Sequence, residues 1–109
     1  MSAFSLDSLD AIVGARLAED SDTSYTVRLA RKGVSKCAEK FGEEAVELVI
    51  AAAERDREAI RAESADVLYH LLVLLGVAGV PLRDVLAELE RRTVRSGLEE
   101  KASRPPADR

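Results

Sequence analysis

The chain has 109 residues, of which 47% are hydrophobic and 33% are charged, with a formal net charge of -4. These values predict one folded domain rather than a disordered chain, and they give no basic surface that would indicate nucleic acid as a partner. A single cysteine and a single histidine exclude a disulfide framework and a multi-histidine zinc site within one chain.

No basic-then-apolar leader opens the sequence. The longest apolar stretch, residues 71–82, is interrupted by Gly76, Gly79 and Pro81. It is also shorter than the ~20 apolar residues that a membrane-spanning helix needs. We therefore expect a cytoplasmic protein without a membrane partner.

Five helical segments and no strand are predicted, which makes residues 1–109 a single all-α domain. The helices are expected at about 6–18, 25–30, 34–53, 57–77 and 82–93. Asp56 is the candidate N-cap of the fourth helix, and Pro81 suits the first turn of the fifth. The sequence from about 95 to 109 is read as a polar C-terminal tail.

The fourth predicted helix is apolar almost all round between Val67 and Ala78. A helix of that kind has to be covered on all sides. The remaining helices of one chain are too few to cover it, so a second copy is expected. The predicted architecture is an antiparallel helical hairpin with flanking helices, which forms a helical bundle as a homodimer.

Four carboxylates occur in two pairs on the third and fourth helices. Glu44 and Glu47 are three residues apart, as are Glu63 and Asp66, so each pair shares a helix face. If the helices form an antiparallel hairpin about Arg55, Glu47 and Glu63 each lie eight residues from the turn, and Glu44 and Asp66 each lie eleven residues from it. All four would then meet at one height, within about one residue's rise of ~1.5 Å.

Such a cluster is unfavourable unless a cation neutralises it. Carboxylate oxygens suit Mg²⁺, with Mn²⁺ as a possible substitute, and bound Mg²⁺ commonly works with substrate phosphates. The alternative is an ordinary solvated face of a glutamate-rich helix. Asp66 weighs against this alternative because Asp is a poor helix-interior residue and here leads into an apolar run.

Residues beside the acidic pairs are candidates for substrate contact. Lys36 and Lys40 stack one turn apart and either hold phosphate oxygens or are ordinary surface lysines. Tyr69 and His70 follow Asp66, and His70 is either a substrate contact or a hydrogen-bonded core histidine. Cys37 is expected to be a small packing residue.

The acidic pattern Glu43-Glu44-Ala45-Val46-Glu47, followed by Glu63-Ser64-Ala65-Asp66, resembles that of the MazG-like all-α nucleotide pyrophosphohydrolases. Stretches 24–26, 40–47, 66–72 and 100–104 together resemble the phosphoribosyl-ATP pyrophosphohydrolase family. One departure is that Arg91-Arg92 is followed by Thr93-Val94, where relatives often carry a histidine.

This resemblance implies a Mg²⁺-dependent homodimeric enzyme with a helical-bundle fold. The implied reaction is hydrolysis of phosphoribosyl-ATP to phosphoribosyl-AMP and pyrophosphate, the second step of histidine biosynthesis. The alternatives are a general house-cleaning nucleoside triphosphate pyrophosphohydrolase and a non-catalytic helical dimerisation module. The site expected from the pattern and the resemblance has metal ligands Glu44, Glu47, Glu63 and Asp66, a base at Glu43 or Glu44, and substrate contacts at Lys36, Lys40, Tyr69, His70, Lys101 and Arg104.

Overall fold

The computed structural model describes residues 3–19 and 23–94, and these residues form five helices and no strand. The helices are α1 (Leu6–Leu17), α2 (Tyr25–Arg31), α3 (Val34–Ala53), α4 (Arg57–Ala78) and α5 (Leu82–Thr93). The predicted all-α class is therefore confirmed, and the predicted helix ends agree to within about a residue. The expected polar tail, with Lys101 and Arg104, lies outside the described residues.

Local chemistry explains where the helices begin. The side chains of Ser5, Ser24 and Asp56 each accept a hydrogen bond from a backbone N–H in the first turn that follows. Such a cap satisfies one of the backbone donors that a helix start leaves without a partner. Asp56, predicted as the cap of α4, accepts from the N–H of Ala59 at 3.1 Å.

The two longest helices, α3 and α4, form an antiparallel hairpin and share the most extensive helix–helix contact among the described residues. The turn between them passes through Arg55, whose φ is 59°. This left-handed conformation costs a non-glycine residue roughly 1–2 kcal/mol. The N–H groups of Arg55 and Asp56 donate to the carbonyl oxygens of Ala52 and Ala51, and these two bonds at the end of α3 offset the strain.

A small aliphatic core joins α1, α2 and the hairpin. Its buried members are Val13, Leu29, Cys37, Leu72, Val73 and Leu82. The Cys37 thiol is buried and lies 3.7 Å from the carbonyl oxygen of Leu29, which confirms its role as a packing residue. At Gly76 an added Cβ would stand 2.5 Å from Leu17 Cδ1, so this glycine lets α1 approach α4 closely.

The residues that the structure describes cover the hairpin incompletely. On α3, Val46, Val49 and Ile50 are 57%, 66% and 52% exposed, and on α4 Leu68 is 42% exposed. No single described helix is both long and apolar enough to cross a membrane. Helices α4 and α5, which are bent by 112° relative to each other, together have the length and apolar composition of a membrane span.

Candidate metal centre

Three carboxylates converge between the two helices of the hairpin. Glu44 on α3 and Glu63 and Asp66 on α4 each offer an oxygen, and these oxygens lie within 4.8 Å of one another. The arrangement follows from the antiparallel hairpin, which brings residues equally far from its turn to the same height. We call these three residues the carboxylate cluster.

Members of the carboxylate cluster differ in their contact with solvent. Glu44 is 8% exposed, Glu63 is half-buried and Asp66 is exposed. The Oε1 atom of Glu63 is fully buried and has no hydrogen-bond partner among the described residues. A buried polar atom without a partner costs free energy, and a carboxylate oxygen costs more than a neutral one. The cluster is therefore unfavourable as a set of bare anions.

The pKa of Glu63 is raised above 4.5, first by burial and then by the negative charges of Glu47, Asp66 and Glu44. Glu47, the fourth predicted ligand, is exposed and is not one of the three residues whose oxygens converge. It lines a shallow cavity of about 200 Å³ together with Glu63 and Glu54.

Lys40 places a positive charge at the edge of the cluster. Its Nζ lies 3.2 Å from Glu44 Oε2 and 3.7 Å from Glu43 Oε1. The hydrogen bond to Glu44 is the main reason that the pKa of Lys40 is raised. Lys36 lies one turn away and pairs with Glu39 at 3.4 Å, with both side chains more than half exposed. The structure thus brings Lys40 to the cluster and leaves Lys36 on the outer surface.

Tyr69 and His70 are engaged in hydrogen bonds within the protein. The Tyr69 hydroxyl accepts from Arg16 Nη1 at 2.9 Å and shares a hydrogen bond with the Thr26 hydroxyl. His70 is 7% exposed, and each of its ring nitrogens has a partner within the protein. This geometry favours a supporting role for His70 over direct contact with a substrate.

Sequence reasoning gave no role to Tyr25 and Thr26, at the start of α2, or to Arg16. Ser24 is a typical N-cap residue, so the sequence indicates that a helix starts here. It does not indicate which residues of other helices Tyr25 and Thr26 face. The partners of Tyr25 and Thr26 lie 45 and 43 residues further along the chain, so only the fold identifies them.

The donor set fits a hard divalent cation. Oxygen ligands from carboxylates at this spacing are typical of Mg²⁺ and Mn²⁺ sites, and a cation would give the buried Glu63 oxygen the partner that it lacks. Fold and site together define an all-α protein whose central helical hairpin is suited to hold a divalent cation beside an open surface.

Comparison with known proteins identifies the family. The sequence model for phosphoribosyl-ATP pyrophosphohydrolase matches residues 6–93. A phosphoribosyl-ATP pyrophosphatase of Agrobacterium fabrum is 56% identical over 105 residues, which cover 96% of this chain and 98% of the relative. One from Methylobacterium radiotolerans is 54% identical over 107 residues, 98% of this chain and all of the relative. The chain belongs to the phosphoribosyl-ATP pyrophosphohydrolase family and is therefore a hydrolase.

Proposed function

We propose that this protein hydrolyses phosphoribosyl-ATP to phosphoribosyl-AMP and pyrophosphate, the second step of histidine biosynthesis. The family supports this reaction, and the observation that carries it is the carboxylate cluster with its unpartnered Glu63 oxygen. Hydrolysis of a phosphoric anhydride requires charge on the phosphate oxygens to be neutralised, which an enzyme achieves with a divalent cation and fixed cationic side chains.

In this proposal Glu44, Glu63 and Asp66 hold Mg²⁺, with Mn²⁺ as a possible substitute, and Glu47 contributes a further carboxylate from the rim. The bound ion supplies charge neutralisation for the triphosphate and lowers the pKa of a water molecule. The protein's own part is to fix these oxygens on two rigid helices, so that little movement is needed when the ion and the substrate bind.

The remaining polar residues receive roles in substrate binding and proton transfer. Lys40 and, more weakly, Lys36 bind phosphate oxygens, and Lys101 and Arg104 are proposed as further phosphate contacts. Of the two candidate bases, Glu43 is preferred to Glu44, because Glu44 is buried and is assigned to the cation, whereas Glu43 is exposed and lies farther from Lys40, at 3.7 Å against 3.2 Å. Glu43 accepts a proton from a water molecule as the water oxygen bonds to the α-phosphorus. The bond from the α-phosphorus to the oxygen that bridges it to the β-phosphate breaks, and its electrons leave with pyrophosphate.

We further propose that the protein acts as a homodimer in the cytoplasm. The exposed apolar residues Val46, Val49 and Ile50 recur at helical spacing and form one face of α3. Their exposure supports coverage by a second copy, since contiguous apolar patches of this kind are typical of interaction surfaces.

The decisive experiment measures pyrophosphate release from phosphoribosyl-ATP with and without Mg²⁺, alongside a panel of ordinary and modified nucleoside triphosphates. We expect turnover of phosphoribosyl-ATP that needs Mg²⁺ and exceeds turnover of every panel member. Asp66→Asn, which keeps the shape of the side chain and removes its charge, should lose most of this activity. Equal turnover of the general triphosphates would support the house-cleaning alternative, and an inactive protein would support the dimerisation module.

A further inference from the structure

Helices α2 and α4 are joined by a chain of hydrogen bonds one turn beyond the carboxylate cluster. The hydroxyl of Tyr25, at the start of α2, lies 3.0 Å from Nε2 of His70 on α4. The other ring nitrogen, Nδ1, lies 2.8 Å from the backbone carbonyl oxygen of Asp66. The rings of Tyr25 and His70 also meet edge to face, with centroids 5.9 Å apart. We call Tyr25, His70 and the Asp66 carbonyl the Tyr25 bridge.

Proton positions in the bridge follow from the chemistry of its acceptors. A backbone carbonyl can only accept, so Nδ1 of His70 carries a proton and donates it to Asp66. In the neutral ring Nε2 then has a lone pair, and the Tyr25 hydroxyl donates to it. This is one defined tautomer of the histidine, fixed by the carbonyl that accepts from Nδ1, and the Tyr25 hydroxyl supplies the donor that Nε2 needs.

Helix α2, which carries Tyr25, packs against both helices of the hairpin. The pKa of Tyr25 is raised chiefly by burial, and the charges of Lys40 and Glu44 on α3 also act on it. Lys40 and Glu44 are themselves joined at 3.2 Å. Tyr25 is therefore connected through His70 to the backbone of Asp66 on α4, from a helix that also contacts α3.

We propose that Tyr25 is a positioning residue for the carboxylate cluster: through His70 it ties the turn of α4 that carries Asp66 to α2, so that Asp66 and Glu63 stay opposite Glu44. The inference rests on the proposed function, because it assumes that the cluster holds a divalent cation. Ligand oxygens must keep their geometry within about 0.5 Å to bind an ion well, and partners behind the ligands commonly enforce this.

The burial pattern distinguishes this role from simple packing. Tyr25 is 46% exposed, so its ring adds little to the core, and as a surface residue its hydroxyl could bond to water instead. His70 is 7% exposed, and its Nε2 faces Tyr25 rather than solvent. Removing the hydroxyl therefore leaves a buried nitrogen without its donor while changing few apolar contacts.

The first test observes the hydrogen bonds of the His70 ring by NMR and needs no assay of activity. The chain contains one histidine, so protein labelled with ¹⁵N-histidine gives NMR signals from His70 alone. In the wild-type protein at fixed neutral pH we expect a protonated Nδ1 and an unprotonated, hydrogen-bonded Nε2. Tyr25→Phe keeps the aromatic ring, and it should shift the Nε2 signal while Nδ1 stays protonated. A wild-type protein with the proton on Nε2 would overturn the proposal.

The second test measures Mn²⁺ binding to the intact protein by calorimetry, with Mg²⁺-dependent turnover of phosphoribosyl-ATP as a companion assay. In Tyr25→Phe we expect Mn²⁺ affinity to fall ~10-fold, as for other residues that orient metal ligands. The kcat should fall with it, while the KM for phosphoribosyl-ATP stays within ~3-fold of the wild type, since Tyr25 is placed behind the metal ligands and not against the substrate.

A matched control separates positioning from loss of stability. Val13→Ala opens a cavity in the core at a residue that is 1% exposed and is not part of the bridge. At a temperature where both variants are folded, Val13→Ala should bind Mn²⁺ like the wild type. Equal weakening of Mn²⁺ binding in both variants, or none in Tyr25→Phe, would overturn the proposal. A wild type that binds Mn²⁺ and shows the expected tautomer, yet releases no pyrophosphate, would refute the proposed function and leave the positioning role standing.

Discussion

At the scale of single residues, Glu63 has the least favourable surroundings of the carboxylate cluster. One of its oxygens is buried without a partner, and burial and three neighbouring carboxylates raise its pKa above 4.5. The folded protein therefore holds this proton more tightly than the unfolded chain does. As pH rises from 4.5 through the folded pKa, this group's contribution to the free energy of unfolding falls.

We expect Glu63→Gln to raise the melting temperature in metal-free buffer at pH 7, because the neutral amide removes the repulsion. Adding Mg²⁺ should then stabilise the wild type clearly and the variant little, since the variant lacks a ligand. Thermal unfolding with and without EDTA measures both effects. Glu90→Gln, at an exposed glutamate on α5, is the control and should respond to Mg²⁺ like the wild type. If Mg²⁺ raises the melting temperature of Glu63→Gln as much as that of the wild type, Glu63 is not a ligand of the ion.

Lys40 and Lys36 have similar sequence positions and different surroundings. Lys40 bonds to the buried Glu44, whereas Lys36 pairs with an exposed glutamate. We expect Lys40→Gln to raise the KM for phosphoribosyl-ATP by about 10-fold, or roughly 1.4 kcal/mol, within the range for a hydrogen bond to a charged group. Lys36→Gln should raise it less, because solvent screens an exposed charge. Steady-state kinetics at saturating Mg²⁺ measures both KM values. A larger rise in KM for Lys36→Gln than for Lys40→Gln would contradict the assignment of Lys40 as the stronger phosphate contact.

At the scale of elements, the hairpin of α3 and α4 determines whether the carboxylates meet. Its helices were predictable because the signals are local: helix-forming residues, apolar spacing and the Asp56 cap all lie within a few residues of the ends that they specify. The strained turn at Arg55 was predicted only as a turn. Its left-handed conformation belongs to the C-cap of α3, where the N–H groups of Arg55 and Asp56 donate to the carbonyls of Ala52 and Ala51. Glycine is the usual residue at such a position, and here no glycine marks it in the sequence.

Asp56 gives a direct test of how this element is stabilised. Asp56→Ala removes the bond to the N–H of Ala59 and should cost about 1 kcal/mol of unfolding free energy. Asp56→Asn is the matched control, because asparagine caps about as well as aspartate. Urea unfolding followed by circular dichroism compares the two. If both variants lose equal stability, the charge rather than the hydrogen bond accounts for the effect, as interaction with the helix dipole would predict.

At the scale of the whole molecule, the exposed face of α3 needs an explanation. Val46, Val49 and Ile50 are each more than half exposed, next to Glu47 at the rim of the proposed site. We expect Val49→Glu to shift the protein from dimer toward monomer in analytical ultracentrifugation at micromolar concentration, because a charge cannot be buried there without a partner. Phe4→Glu, at a residue 71% exposed before α1, should sediment like the wild type. A wild-type protein of monomeric mass would contradict the proposed dimer.

The sequence by itself determined the helices, the Asp56 cap and the pairing of acidic residues at matched distances from one turn. These features depend on short-range periodicity, which a single chain displays directly. Family membership was recognisable from the same acidic motifs.

Only the tertiary structure decided which side chains face one another. It brought three of the four predicted carboxylates together, separated Lys40 from Lys36 and joined Tyr25 to a histidine 45 residues away. Such contacts depend on how helices rotate and pack against their neighbours, and a rotation of one residue, about 100° around a helix, changes every partner. Spacing along the chain specifies the face of a helix, and packing specifies what that face meets.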